Sequence, residues 1–253
     1  MDASSLLGIL ALSFVSGLLI GAVGIGGVIL VPALTLIGGI SIHTAVPAAI
    51  AAYLVSGAIG TRAYWRAGSV PWSLARPLAL SAMPAALLGA IASGAAPSSV
   101  IETCIAVLTL ASGVNAWVER ADSNHGVLNT PRPGQLAVVG AVTGFVSALT
   151  GTGGPLVLVP ILMWLRCPVL AAIGMAQVIQ LPIALLATVG NLWTGSIEAA
   201  LANTLALGLA AGTWWGARLA HAVPQVALRR VVAGVLLLTG IAIVFKIAMR
   251  VLA

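Results

Sequence analysis

Eight apolar stretches fill this chain, at residues 5–38, 44–61, 73–93, 98–117, 134–165, 169–194, 199–217 and 226–245. A helix needs roughly 20 such residues to cross a hydrocarbon layer. In lipid every backbone polar group has to be paired within the structure, so unalternating runs of this length fold as helices. Charged residues make up only 6% of the chain, against roughly 25% in a soluble domain, which leaves too little polar surface for water. The expected fold is therefore all-α, a polytopic transmembrane helical bundle embedded along its whole length.

The bundle is built twice. A shift of 127 residues lays Gly17 on Gly144, Gly24 on Gly151, Gly26 on Gly153, Gly27 on Gly154, Gly68 on Gly195, Ser69 on Ser196, Gly89 on Gly216, Pro97 on Pro224 and Gly113 on Gly240. Residues 1–118 form the first repeat and 134–253 the second. Between them, 119–133 is the most polar stretch, with Arg120, Asp122, Asn124, His125, Asn129 and Arg132, and reads as a solvated cytoplasmic linker.

Each repeat opens on one long segment followed by three of ordinary length. The 34 residues of 5–38 would extend about 51 Å as one helix, far beyond a core of about 30 Å. Both long segments are interrupted at the same place, by Gly24-Ile-Gly-Gly27 and Gly151-Thr-Gly-Gly154. Each is expected to descend, break at the glycines and return as a shorter helix.

Charge placement favours that return. If each long segment crossed once, the eleven Lys and Arg would divide seven against four. If each turns back, the halves are inverted and the division is nine against two. Arg62, Arg66, Arg76, Arg120, Arg132, Arg166, Arg218, Arg229 and Arg230 then share one side, opposite Lys246 and Arg250. The positive-inside rule makes the richer side cytoplasmic and puts both termini outside an inner cell membrane. The seven Trp residues fall at segment ends, as an interfacial belt requires. The N-terminus lacks the basic region and cleavage site of a removable signal, so its first segment is expected to stay.

A backbone break inside a membrane is tolerated where it lines a cavity or is buried in protein. Pro155 follows the second glycine group and favours the first position of a helix. A helix N-terminus there presents free N–H groups and a positive dipole end, which suits an anion. Paired discontinuous helices in two repeats point to a transporter's binding site. The candidate substrate-binding residues are therefore Gly24, Gly26, Gly27, Thr150, Gly151, Thr152, Gly153 and Gly154. Thr150 and Thr152 serve equally well as helix caps, and Gly17 and Gly144 as close-packing positions.

Gln177, Gln180 and Asn191 interrupt the apolar run 169–194 and join the candidate site, because such groups face a bundle interior or a cavity. Interhelical hydrogen bonding is their plainer role. Arg62 and Arg66 close segment 44–61, where they bind lipid phosphates or, less strongly indicated, draw anions to an inner mouth. His43 reads as a boundary residue. Cys104 and Cys167 have neither a CxxC partner nor a nearby His, and read as small hydrophobes with no disulfide or metal role.

Two apolar repeats, each opening on GxGG and continuing to Val31-Pro32 or Val159-Pro160, with a later Gly-Ser element at Gly68 to Val70 and Gly195 to Ile197, resemble the sulfite exporter TauE/SafE family, also called the toluene sulfonate uptake permeases. That resemblance implies secondary transport of a small sulfur-containing or organic anion such as sulfite or a sulfonate. The glycine motif departs from the family's GxGGG at Val28 and Pro155, and Ala48 and Ala49 stand where small hydroxyl residues are expected. An anion-selective channel with inverted repeats is the alternative.

An enzyme would need converging acid–base groups or metal ligands within the membrane. The five acidic residues, read as lying in loops or near segment ends, and three scattered His do not supply them. No cofactor is expected, and no acidic residue is clearly placed to bind Na⁺ or relay H⁺ as a coupling ion. The expected partners are the small anion, a coupling ion and membrane lipids, with homo-oligomers left open. The dispersed basic residues form no nucleic-acid-binding face.

Overall fold

The computed structural model describes residues 3–118, 132–165, 167–193, 197–222 and 224–252. Among them the chain forms ten α-helices and no strand: α1 (Ala3–Val23), α2 (Gly27–Leu36), α3 (Ile42–Arg66), α4 (Trp72–Ala95), α5 (Ser98–Val118), α6 (Pro133–Thr150), α7 (Pro155–Trp164), α8 (Val169–Trp193), α9 (Ala199–Ala222) and α10 (Gln225–Leu252). Four of them, over Ser5–Val23, Ile42–Arg66, Trp72–Ala95 and Leu170–Trp193, are long and apolar enough to span a membrane. Linker residues 119–131 lie outside the described residues.

Local chemistry sets the ends. Ser41 caps α3, its hydroxyl accepting from the Thr44 amide at 3.2 Å, while Pro133 and Pro155 open α6 and α7 as proline does at a first helical position. Both long segments break where expected. Gly24 and Gly151 take left-handed backbones, φ 81° and 70°, that end α1 and α6. The ten-residue helices that follow are about 15 Å long, half of a hydrocarbon core.

Residue pairings across the helix seams give the directions. Gly17 of α1 meets Leu209 of α9 and Gly21 meets Thr213, so these two helices run parallel. Their counterparts α6 and α4 do the same, with Gly140 beside Leu78 and Gly144 beside Ala82. Gly174 lies by Val70 and Gly190 by Leu87, which makes α8 parallel to α4 as well. Since α6 and α8 share a direction, α7 between them runs the other way. In the first half, Gly26 comes back against Ser16 and Ile20, so α2 also returns.

Equivalent helices of the two halves meet antiparallel. The Thr61 hydroxyl of α3 donates to the Gln177 carbonyl of α8 at 3.0 Å, and the Gln180 amide donates to the Ser56 hydroxyl at 2.8 Å. Numbers rise on one helix as they fall on the other. Such a pair is related by an axis across the helices, which is the axis of an inverted repeat.

The same directions bring Arg62, Arg66, Arg76, Arg132, Arg218 and Arg230, all exposed, to one end of the bundle. Aromatic residues mark that boundary. Trp65 and Trp72 meet edge to face at 6.1 Å, and the Arg218 guanidinium sits 3.6 Å over the Trp214 ring, a cation–π contact. Leu80, Leu207, Leu238 and Phe245 are exposed on the flanks, as a lipid-facing surface allows.

Candidate functional site

The two glycine turns meet at the centre of the bundle. A methyl group on Gly24 would lie 3.3 Å from the Pro155 ring, and one on Gly27 would strike the Thr152 carbonyl. Gly153 and Gly154 hold φ at 81° and 100°, a region costly for any side chain with a Cβ. All the candidate glycines are buried. The turns therefore form one unit built from both repeats.

Side chains of α3 and α8 clamp the first turn by its carbonyls. The Gln177 amide donates to the Ile20 carbonyl at 2.6 Å, the Tyr64 hydroxyl to Gly21 at 2.9 Å and the Tyr53 hydroxyl to Gly27 at 3.2 Å. The acceptors that a broken helix exposes are thus satisfied inside the protein. The donors are arranged differently. Ile29 donates to Gly26, and Val157 and Leu158 donate to Gly154. The leading amides of Gly27, Val28, Gly154 and Leu156 consequently lie ahead of the helical ladder, at the positive ends of α2 and α7.

In the second turn the Thr150 hydroxyl donates to the Val146 carbonyl at 2.7 Å and lies 3.0 Å from the Thr152 hydroxyl. Both threonines are buried. Gln177 and Gln180 are buried as well, and the side-chain oxygen of each has no hydrogen-bond partner, like the hydroxyls of Ser16 and Ser147 beside the turns. The Gln177 oxygen faces Gly60 of α3, where an added methyl group would strike it.

The structure brings together Gly24, Gly26, Gly27, Thr150, Gly151, Thr152, Gly153, Gly154, Gln177 and Gln180. Asn191, also buried, lies fourteen residues beyond Gln177 and hence about 21 Å along α8. There it follows Gly190, which packs on Leu87 and Ala90 of α4. Arg62 directly follows Thr61, whose hydroxyl holds the Gln177 carbonyl, and Arg66 ends the helix one turn later. Both are exposed at the basic end rather than inside the site.

Tyr53 and Tyr64 were not among the sequence candidates. The 127-residue shift carries Tyr53 onto Gln180 and Tyr64 onto Asn191, and that coincidence of polar groups is the signal that singles them out. Glu102 lies near the start of α5, as expected, but is 7% exposed, an acid buried among neighbouring helices. His43 does sit at a boundary, its Nε2 3.0 Å from the Ser98 hydroxyl. Among the described residues no group of three His, Cys, Asp or Glu comes together.

A family model described as sulfite exporter TauE/SafE matches residues 9–243. The "Probable membrane transporter protein YdhB" of Bacillus subtilis (strain 168) is 22% identical over 244 residues, covering 91% of this chain and 99% of that protein. The "Probable membrane transporter protein y4hK" of Sinorhizobium fredii is 30% identical over 167 residues, covering 65% of this chain and 66% of that protein. No solved structure matches significantly.

Proposed function

The chain belongs to the sulfite exporter TauE/SafE family of membrane proteins, and from that membership we propose that it is a secondary transporter that moves a small anion by alternating access. The observation that carries the reading is the meeting of two helix N-termini, α2 and α7, at one buried point contributed equally by the inverted halves. Two positive dipole ends and the leading amides of both helices come together among buried residues, where a negative charge gains most from them. Sulfite and small sulfonates match the site in charge and in their several acceptor oxygens.

The mechanism follows from the same geometry. The anion is held by the amides of Gly27, Val28, Gly154 and Leu156, with the Thr152 hydroxyl and the Gln177 side chain beside them. Rocking one inverted half against the other exposes this point to each side in turn. Gln177 and Tyr53 keep the first turn in shape while its neighbours move, because they hold its carbonyls. Catalysis has no part in the proposal.

Counterflow with purified protein in liposomes tests it, using sulfite, thiosulfate, small sulfonates and carboxylates. The expected result is saturable exchange of at least one sulfur oxyanion. Conductance of single-channel size with no exchange would support the pore instead. Orientation is a separate matter. With the arginine-rich end cytoplasmic, reporters fused to the two termini are expected to show only extracytoplasmic activity, and cytoplasmic activity at either terminus would overturn that placement.

A further inference from the structure

Granting the transport reading above, we propose that Ser112 of α5 is a positioning residue of the anion site, fixing the tilt of Leu156, the first residue within α7 that can offer the anion an N–H group. Two prolines single Leu156 out. Pro155 opens α7 and has no N–H to give, so within that helix the Leu156 amide comes first. In an unbroken helix the Leu156 carbonyl would pair with the amide of residue 160. That residue is Pro160, which again has no N–H. Leu156 thus precedes the helical ladder with its amide and loses its ladder partner at its carbonyl.

Ser112 takes the place of the missing donor. Its hydroxyl donates to the Leu156 carbonyl at 3.5 Å, and the residue is 7% exposed. The hydroxyls of Thr103 and Thr109, also on α5, bond back to carbonyls four residues earlier in their own helix, a common habit of helical hydroxyls. Ser112 instead crosses to a helix of the other repeat. Inside a membrane, a carbonyl freed by proline is re-paired by such side chains.

The same face of α5 covers both glycine turns. Leu108, one turn before Ser112, packs on a small apolar cluster that includes Ile25, Val28 and Leu156 and stands apart from the main core. Val28 and Leu156 each carry a leading amide of the anion site, so α5 lies against the N-termini of α2 and α7 together.

A hold on the carbonyl reaches the anion through a single residue. The amide and carbonyl of Leu156 flank one Cα, so fixing the carbonyl sets the direction in which the amide points, and hydrogen bonds weaken steeply as they misalign. The first turn is held from elsewhere, its carbonyls taken by Gln177, Tyr53 and Tyr64 of α8 and α3. Ser112 acts through Leu156 and does not touch the anion. The competing role is purely structural, a hydroxyl that satisfies a buried carbonyl and leaves anion affinity alone.

Counterflow in liposomes, with sulfite, thiosulfate and methanesulfonate as probes, is combined with thermal unfolding in detergent. Ser112→Ala is expected to raise the KM of exchange about fivefold, the worth of one neutral hydrogen bond, with the maximal rate within about twofold of wild type. Ser112→Thr, which keeps the hydroxyl donor, should bring KM back to within about twofold. Pro160→Ala gives the Leu156 carbonyl a helical donor again, so in that background Ser112→Ala should change KM by less than about twofold. The melting temperature should fall by roughly 2–4 °C for Ser112→Ala in the wild-type chain, and by much less in the Pro160→Ala chain. A melting shift without a change in KM would leave Ser112 only the structural role and overturn the assignment. So would an equal rise in KM in both backgrounds, or no recovery in Ser112→Thr. Should Pro160→Ala itself stop exchange, equal melting falls in the two backgrounds would overturn it, and unequal ones would support it. Absence of exchange in wild-type protein for every anion tested would instead remove the transport reading, with the melting comparison still deciding whether Ser112 holds the Leu156 carbonyl.

Discussion

Gly153→Val abolishes anion counterflow and leaves the protein inserted. Gly153 holds φ at 81°, and a residue with a Cβ forced into that region costs about 1–3 kcal/mol. Its first side-chain atom would sit 3.1 Å from the Tyr53 ring, adding about 1–3 kcal/mol of overpacking. Tyr53 cannot withdraw freely, because its hydroxyl holds the Gly27 carbonyl of the opposite turn. Strain at one break is thus transmitted to the other. The sum, about 2–6 kcal/mol, corresponds to at least about a 30-fold fall in exchange if the turn must keep its shape for binding. Gly154→Val, at φ 100° and 3.3 Å from Ile183, should behave alike. Gly8→Val, with nothing within 4 Å of the new carbon, is the control. Wild-type exchange in both turn variants would remove the glycine turns from the site.

Gly212→Leu has a different expected signature, a loss of stability of the fold itself. On α9, Gly208, Gly212 and Gly216 recur every four residues and face α1, where Gly17 and Gly21 face back. No hydrophobic drive joins helices in lipid, so such a seam depends on small residues that let backbones touch. A carbon added at Gly212 would meet the Phe14 carbonyl and, at 2.7 Å, the Leu18 amide. These are backbone atoms of a helix and cannot rotate aside. The cost is expected to exceed about 3 kcal/mol, which lowers the melting temperature by roughly 6–12 °C for a chain of this size. Gly234→Leu, whose added carbon meets nothing within 4 Å, should melt near the wild type. Thermal unfolding in detergent, followed by size-exclusion chromatography, reads the difference. An unchanged melting temperature for Gly212→Leu would show that the α1–α9 seam contributes little.

Much of the candidate site is legible in the amino-acid sequence because it rests on backbone rather than side chains. A glycine pair inside an apolar run announces a break wherever it occurs, and its repetition at Gly24 and Gly151 ties the break to a duplicated unit. Gln177 and Gln180 are visible for a similar reason, since polar groups are conspicuous in an apolar helix. Asn191 carries the same signal, and the 127-residue shift pairs it with Tyr64. Glu102 escapes a reading by sequence because it stands only a few residues from the start of its segment, where a boundary acid is unremarked. The surfaces of α2, α3 and α10 close over that position, and no local property of α5 reveals it.

What the sequence determined by itself was set by the chain and the bilayer together: which segments are helical, where they break, and which end carries the arginines. Each follows from hydrocarbon thickness, backbone hydrogen bonding or charge, and none needs a distant partner. What only the tertiary structure decided was which faces meet: α1 with α9, α4 with α6, the Tyr53 and Tyr64 hydroxyls with the first turn, and the pocket around Glu102. In a soluble helix an apolar stripe gives the buried face away. In lipid both the buried and the exposed faces are apolar, so periodicity falls silent, and contacts between residues far apart in the chain have to choose the partners.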